Sequence, residues 1–322
     1  MNKKVIKLTT PWGQSFFNDR ISTLEQNSGY IFEIDNDCDY CDYWVVWGGL
    51  GENNKKIRVK TSKTIFLTDE VHEFKTYNKK FIDQFDAVIT PRKDIKHSKV
   101  ISSHELNTWH ILKTYNELIE LNELPKSKNI SVVSSDLTDL PGHKLRYALV
   151  NKLIGHFKDR LDVYGRGFNP IENKWDALAP YRYSIAIENN SFPGYFTEKL
   201  SECYLSLAMP VYYGCPDIEN FFDTNSMLII DIYDYQHTIK QIEQLLEEDP
   251  YQQKLPLLVK QKNKYLENYN IFNALPKILT KEFEEAGKHE ANRYVRLRPQ
   301  NNFLKYQIIR KVKNRIFNNF KK

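Results

Sequence analysis

Tyr183-Ser184-Ile185-Ala186-Ile187-Glu188-Asn189-Asn190-Ser191-Phe192-Pro193-Gly194-Tyr195-Phe196-Thr197-Glu198-Lys199-Leu200, continued by Pro210-Val211-Tyr212-Tyr213-Gly214, decides the fold of this chain. The apolar run from Tyr183 to Ile187 reads as a buried strand, and Asn189 to Gly194 as a loop. Glu198 to Leu207 reads as a helix, and Pro210 to Tyr213 as a second buried strand that Gly214 ends. Strand, helix and strand in that order make a parallel α/β unit. The helix opening at Thr197-Glu198-Lys199 offers unpaired backbone N–H groups and the positive end of its dipole, both of which favour a diphosphate. Glu198 adds an acceptor for hydroxyl groups and Lys199 a cation. By spacing alone the same residues fit, equally well, an ordinary helix with a favourable first-turn glutamate.

Upstream the pattern repeats. Ile130 to Ser134 is a strand, and Lys144 to Phe157 an amphipathic helix with Leu145, Leu149, Leu153 and Phe157 at four-residue spacing. Leu161 to Tyr164 is a further strand, ending in Gly165-Arg166-Gly167. In the first half, Val5–Leu8, Trp44–Trp47, Thr64–Leu67 and Ala87–Ile89 read as strands, with helical spacing over Gln14–Leu24 and Lys75–Phe85. Trp47 to Gly51 enters a glycine-rich loop. A polar hinge, Leu121 to Asn129, separates the two alternations. The fold class expected is α/β, with two Rossmann-like domains facing a cleft, where such folds bind ligands. The boundaries expected are 1–125, 126–285 and a tail, 286–322.

With 322 residues, 41% hydrophobic and 27% charged, the composition is that of a soluble globular protein and excludes a disordered one. No run of about eighteen apolar residues could span a bilayer, and Met1 to Phe17 lacks the apolar core of a signal peptide. Cys38 and Cys41 form a lone C-x-x-C without the second ligand pair a structural zinc needs, so reduced thiols are expected. Asp35-Asn36-Asp37 has the letters of a metal-binding D-x-D but reads as a solvated loop. The net charge of +5 conceals an asymmetry. Ten Lys and Arg residues lie between Arg293 and Lys322 with no Asp or Glu after Glu290, and removing them leaves a body of −5. Leu304, Ile308, Val312, Ile316 and Phe320 recur every four residues among those cations. That is a basic amphipathic helix suited to an anionic membrane surface, although packing on the protein body or on a partner fits it too. No nucleic-acid-binding module accompanies it, so nucleic acid is not an expected partner.

The segment from Tyr183 to Leu200 resembles the signature of glycosyltransferase family 10, the α-1,3/4-fucosyltransferases, which reads roughly F-E-N-S, a short loop, Y-x-T-E-K, then a P-V/I-x-x-G strand. Ile187 stands where Phe is usual. Arg146 is similar to the family's diphosphate-directed arginine, and Val163 to Gly167 looks like its D-x-Y-G-x-G strand end. Thr10-Pro11-Trp12-Gly13 resembles the Trp-Gly turn of bacterial members. Thr64 to Glu70 looks like the strand and T-G-E that carry the family's proposed base, with Asp69 in place of Gly.

The resemblance implies a GT-B-like, inverting transfer of L-fucose from GDP-fucose to a glycan acceptor, such as a GlcNAc or Glc 3-hydroxyl of a bacterial surface glycan. It implies Glu70 as base and Glu198 as the group that holds donor hydroxyls and stabilises positive character at the anomeric carbon. Arg146 and Lys199 would bind the diphosphate. Tyr164, Gly165, Gly167, Glu188, Asn189 and Tyr195 would shape or contact the donor pocket, Glu188 by holding its loop through backbone N–H groups. No cofactor and no essential divalent metal are expected. A cytoplasmic enzyme attached peripherally to the inner face of the plasma membrane would fit the basic tail. Another GDP-deoxysugar as donor, or a catalytically silent binding protein, are the alternatives.

Overall fold

A computed structural model describes residues 3–13, 17, 20, 21, 29–36, 38–50, 58–284 and 292–303. The chain divides into two compact units, Met1–Ser103 with Leu275–Lys322, and His104–Ala274.

In the first unit, β1 (Lys4–Thr9), β2 (Tyr30–Ile34), β3 (Tyr40–Trp47), β4 (Arg58–Leu67), β5 (Ala87–Thr90) and β6 (Val100–Ser102) form one sheet in the order β2-β1-β3-β4-β5-β6. These strands pair in parallel. β4 shows why. Val59, Thr61 and Lys63 alternate with more exposed neighbours, then Thr64 to Leu67 are buried without a break. Such a switch marks a strand covered on one face at its start and on both faces at its end. Trp44, Val46, Phe66, Phe85 and Val88 make the core on one side. The helical spacing over Lys75–Phe85 yields only the short helix α1 (Lys79–Ile82), because Asn78 accepts from Lys80 N–H and starts the turn there. Of the helix expected over Gln14–Leu24, all but Phe17, Arg20 and Ile21 lies outside the described residues, as do Asp37 and Gly51.

The second unit contains α2 (Tyr115–Glu120), β7 (Lys128–Val133), α3 (Pro141–Phe157), β8 (Asp162–Tyr164), β9 (Tyr181–Ile187), α4 (Glu198–Leu205), β10 (Met209–Tyr213), β11 (Leu228–Ile229), α5 (Tyr235–Glu248) and α6 (Tyr251–Asn268). Its sheet is parallel, in the order β11-β10-β9-β7-β8. α7 (Ile271–Leu279) carries the chain back into the first unit.

These units differ from the boundaries read in the sequence, and the reason is physical. Lys262 of α6, with its side chain buried, donates to the Leu118 carbonyl oxygen at 2.6 Å and to that of Leu121, which ties α2 into the second unit. The stretch read as the start of a separate tail contains β12 (Arg293–Arg296), paired antiparallel with β4 from Arg293↔Thr61 to Arg296↔Arg58. Arg293 makes a forked ion pair with Asp86, both contacts at 2.7 Å, so this cation is spent on the first unit. The apolar repeat from Leu304 to Phe320 lies outside the described residues, and no helix among the described ones is long and apolar enough to cross a membrane.

Candidate active site

In the second sheet β7 and β9 are neighbours, with β8 beyond β7 on one side and β10 and β11 beyond β9 on the other. The chain therefore leaves β7 in one direction and β9 in the opposite one. The loops diverge at the carboxyl ends of these two strands and leave a crevice, the usual ligand site of an open parallel sheet. A cavity of about 250 Å³ lies there. Ser134 and Ser135 after β7, Arg146 of α3, Gly165 after β8, Lys174, and Glu198, Lys199 and Glu202 of α4 all line it.

The wall is built from the strand end upward. Glu188, the residue after β9, is fully buried, and its two carboxylate oxygens accept from the Thr197 N–H and the Thr197 hydroxyl, each at 2.7 Å. Thr197 caps α4, so the helix start is clamped to the strand end across the intervening loop. Lys199 Nζ lies 3.6 Å from Glu188 Oε2 and 3.1 Å from Glu198 Oε1. Lys174 Nζ lies 3.6 Å from the same Glu198 oxygen and 3.1 Å from Glu202 Oε2. Glu202, 2% exposed, also accepts from the backbone N–H of His110. Carboxylates and ammonium groups thus alternate through five residues. Burial opposes the charge of Glu198, but Lys199, Lys174 and His110 outweigh it and hold its carboxyl well below the usual range.

Arg146 completes the opposite side. It is 5% exposed, and its guanidinium donates to Asn189 Oδ1 and, at 3.0 Å, to Ser135 Oγ, while its Nε has no partner. These bonds go to neutral oxygens. Glu188 and Glu198 act on this buried guanidinium without an ion pair to it among the described contacts, so it can receive an anion. Gly165 has φ of +113°, and a Cβ there would lie 1.9 Å from the Ser134 carbonyl oxygen. Only glycine lets the β8 end approach the β7 end this closely.

Four residues singled out by sequence therefore line one cavity: Arg146, Gly165, Glu198 and Lys199. Glu188 and Asn189 stand behind them and orient them. Gly167, with φ of +84°, packs on Asp136 instead. Tyr164 turns its hydroxyl to that of Tyr181, 2.7 Å away at the start of β9. Tyr195 is buried and stacks on Phe192. Lys174 and Glu202 were not singled out. Glu202 had a signal, since it lies one turn after Glu198 on α4. Lys174, in an irregular stretch between β8 and β9, had none.

In the first unit, Glu70 follows the carboxyl end of β4 and is half-buried, with its carbonyl oxygen accepting from Arg92 Nη1 at 2.7 Å. Neighbouring Asp69 is engaged by Lys75 at 2.8 Å and by the Tyr77 hydroxyl. Asp35 of the D-x-D run accepts from Thr10 N–H and Oγ at 2.7 and 2.8 Å, which ties the end of β2 to the end of β1.

Residues 124–270 match the family model described as Glycosyltransferase family 10 (fucosyltransferase) C-term. Through this stretch, a little under half of its length, the chain is similar to glycosyltransferase family 10. The matched stretch contains the whole cavity wall. The α-(1,3)-fucosyltransferase FucT of Helicobacter pylori is 31% identical over 71 residues, 22% of this chain and 14% of that protein. GDP-fucose protein O-fucosyltransferase 3 of Xenopus tropicalis is 42% identical over 53 residues, 16% of this chain and 11% of that protein. The matched stretches are thus a small part of either relative. A crystal structure of an α1,3-fucosyltransferase with GDP gives a TM-score of 0.50 at 16% identity, covering 84% of this chain and 92% of that one. That likeness is one of fold: α/β and GT-B-like, with two Rossmann-like parallel sheets.

Proposed function

We propose that this protein is an inverting glycosyltransferase that moves L-fucose from GDP-fucose to a glycan hydroxyl, such as the 3-hydroxyl of GlcNAc or Glc in a surface glycan. The observation that carries the reading is the cavity at the β7/β9 switch point, where a buried guanidinium and two lysines meet an ionised glutamate. In the reaction, the acceptor oxygen bonds to the anomeric carbon as the bond to the β-phosphate oxygen breaks, and that electron pair leaves with GDP. Arg146 and Lys199 bind the diphosphate and offset the charge that develops there. Glu198 accepts hydrogen bonds from sugar hydroxyls and stabilises positive character at the anomeric carbon. Glu70 takes the acceptor proton. With side-chain cations placed to neutralise the leaving group, the chemistry needs no divalent metal.

The test is incubation with radiolabelled GDP- and UDP-sugars and a panel of glycan and protein acceptors. Transfer from GDP-fucose to a glycan is the expected result. Transfer of another deoxysugar would replace the donor, and binding without transfer or hydrolysis would make the protein a silent binder. We further assign residues 304–322 to an anionic membrane surface at the cytoplasmic side. The full chain should co-sediment with vesicles rich in acidic lipid and be released by salt, and a chain ending at Phe303 that sediments equally would remove that assignment.

A further inference from the structure

We propose that Lys174, steadied by Glu202, is a positioning residue that fixes the Glu198 carboxylate for recognition of the donor's sugar. This inference rests on the donor-site reading above. Lys199 and Lys174 both approach Glu198 through Oε1, at 3.1 and 3.6 Å. Glu198 lines the cavity. Pinning one oxygen between two cations restricts the rotation of the carboxylate and so sets the direction in which it accepts hydroxyl hydrogens.

The two cations are not equivalent. Lys199 is shared with Glu188 and the Thr197 hydroxyl, and it is the one a diphosphate would draw away. Lys174 is bound at 3.1 Å to Glu202, which is itself held by the His110 N–H. Its place does not depend on the ligand. Asn173 anchors the turn from which Lys174 extends, its side-chain oxygen accepting from Trp175 N–H at 3.0 Å and Leu112 N–H at 3.2 Å. The charged groups around Glu198 are Lys199 and Glu202 on its own helix, Glu188 at the end of β9, Lys174 in its turn, His110 before α2 and Arg146 on α3. Removing Lys174 therefore leaves three acidic groups against Lys199 and Arg146, which favours protonation of Glu198.

The experiment measures equilibrium binding of GDP and of GDP-fucose to the full chain between about pH 5 and pH 8. Lys174→Met should reduce the preference for GDP-fucose over GDP about tenfold, most at the acid end, because it frees the rotation of the Glu198 carboxylate and raises its pKa. Affinity for GDP itself should stay within about twofold, since GDP lacks the sugar that Glu198 reads. Lys174→Arg should restore most of the preference, and Glu202→Gln should reproduce a smaller part of the loss. A Lys174→Met chain that discriminates like the wild type at every pH overturns the proposal, as does one that loses GDP and GDP-fucose equally, the mark of a merely structural role. A wild-type chain that binds neither ligand overturns the donor-site reading together with this one.

Discussion

The two units share a topology and differ in what stands at their carboxyl edges. In each, the first strand of the unit lies between the second and the third, so each sheet has a switch point, at β1/β3 in one and at β7/β9 in the other. At β7/β9 the loops deliver Arg146, Glu198, Lys199 and Lys174, all charged. At β1/β3 they deliver an aromatic surface. Trp12, 44% exposed, meets the buried Trp47 edge-on at 4.6 Å, and the carboxylate nearby, Asp35, is bound to Thr10. The same backbone arrangement thus carries a cluster of charged groups in one unit and an apolar face with a separate carboxylate, Glu70, in the other. Fold fixes where a ligand site can be, and loop residues decide what it holds.

The sharpest way to break that division is to remove one charge from each unit. Glu70→Gln should reduce transfer by about 10²- to 10⁴-fold, the usual worth of a general base, while binding of GDP-fucose by titration stays near wild type. Turnover close to normal would end the assignment of Glu70. Arg146→Ala should do the converse and weaken GDP binding about a hundredfold, within the range for truncating a buried, hydrogen-bonded charge. If GDP affinity were unchanged, the cavity at β7/β9 would not be a diphosphate site.

Acid sensitivity should also localise. His104 lies flat on Phe196 at 5.4 Å and donates through Nε2 to the Tyr269 carbonyl oxygen at 3.0 Å, and burial pushes its pKa down to about 4 from 6.5. Between those values the unfolded chain binds the proton and the folded chain does not, so stability falls as pH drops from 6.5 towards about 4. His104→Phe should flatten that part of the stability curve measured by urea unfolding, and an unchanged slope would refute the assignment. The smallest effect concerns the boundary. Arg293→Ala should cost no more than about 1 kcal/mol, because its pair with Asp86 is partly exposed. A much larger loss would mean that β12 is central to the first unit.

Legibility followed periodicity. β9, α4 and β10 could be read because a continuous apolar run, a polar loop and a first-turn Thr-Glu-Lys are local signals. α6 could not, since its buried face includes Gln261 and Lys262 and its interior contains Pro256, which together erase the amphipathic pattern. The helix expected over Lys75–Phe85 shrank to four residues because Lys75 and Tyr77 are tied to Asp69. Within the site, Arg146, Glu198 and Lys199 were legible from the residues that resemble a known signature. Lys174 was not, because its role depends on where an irregular loop returns to the sheet.

By itself, then, the sequence determined that this is a parallel α/β protein with a helix that starts at Thr197-Glu198-Lys199. It did so because strand and helix periods and cap chemistry are properties of neighbouring residues. Only the tertiary structure decided that Glu188 takes Thr197 at the helix cap as its partner, that Lys174 and Glu202 extend its charges into a chain of five, and that β12 belongs to the first sheet. Those outcomes depend on which distant residues burial brings within about 4 Å, the distance at which charges pair and hydrogen bonds close, and no local pattern encodes that.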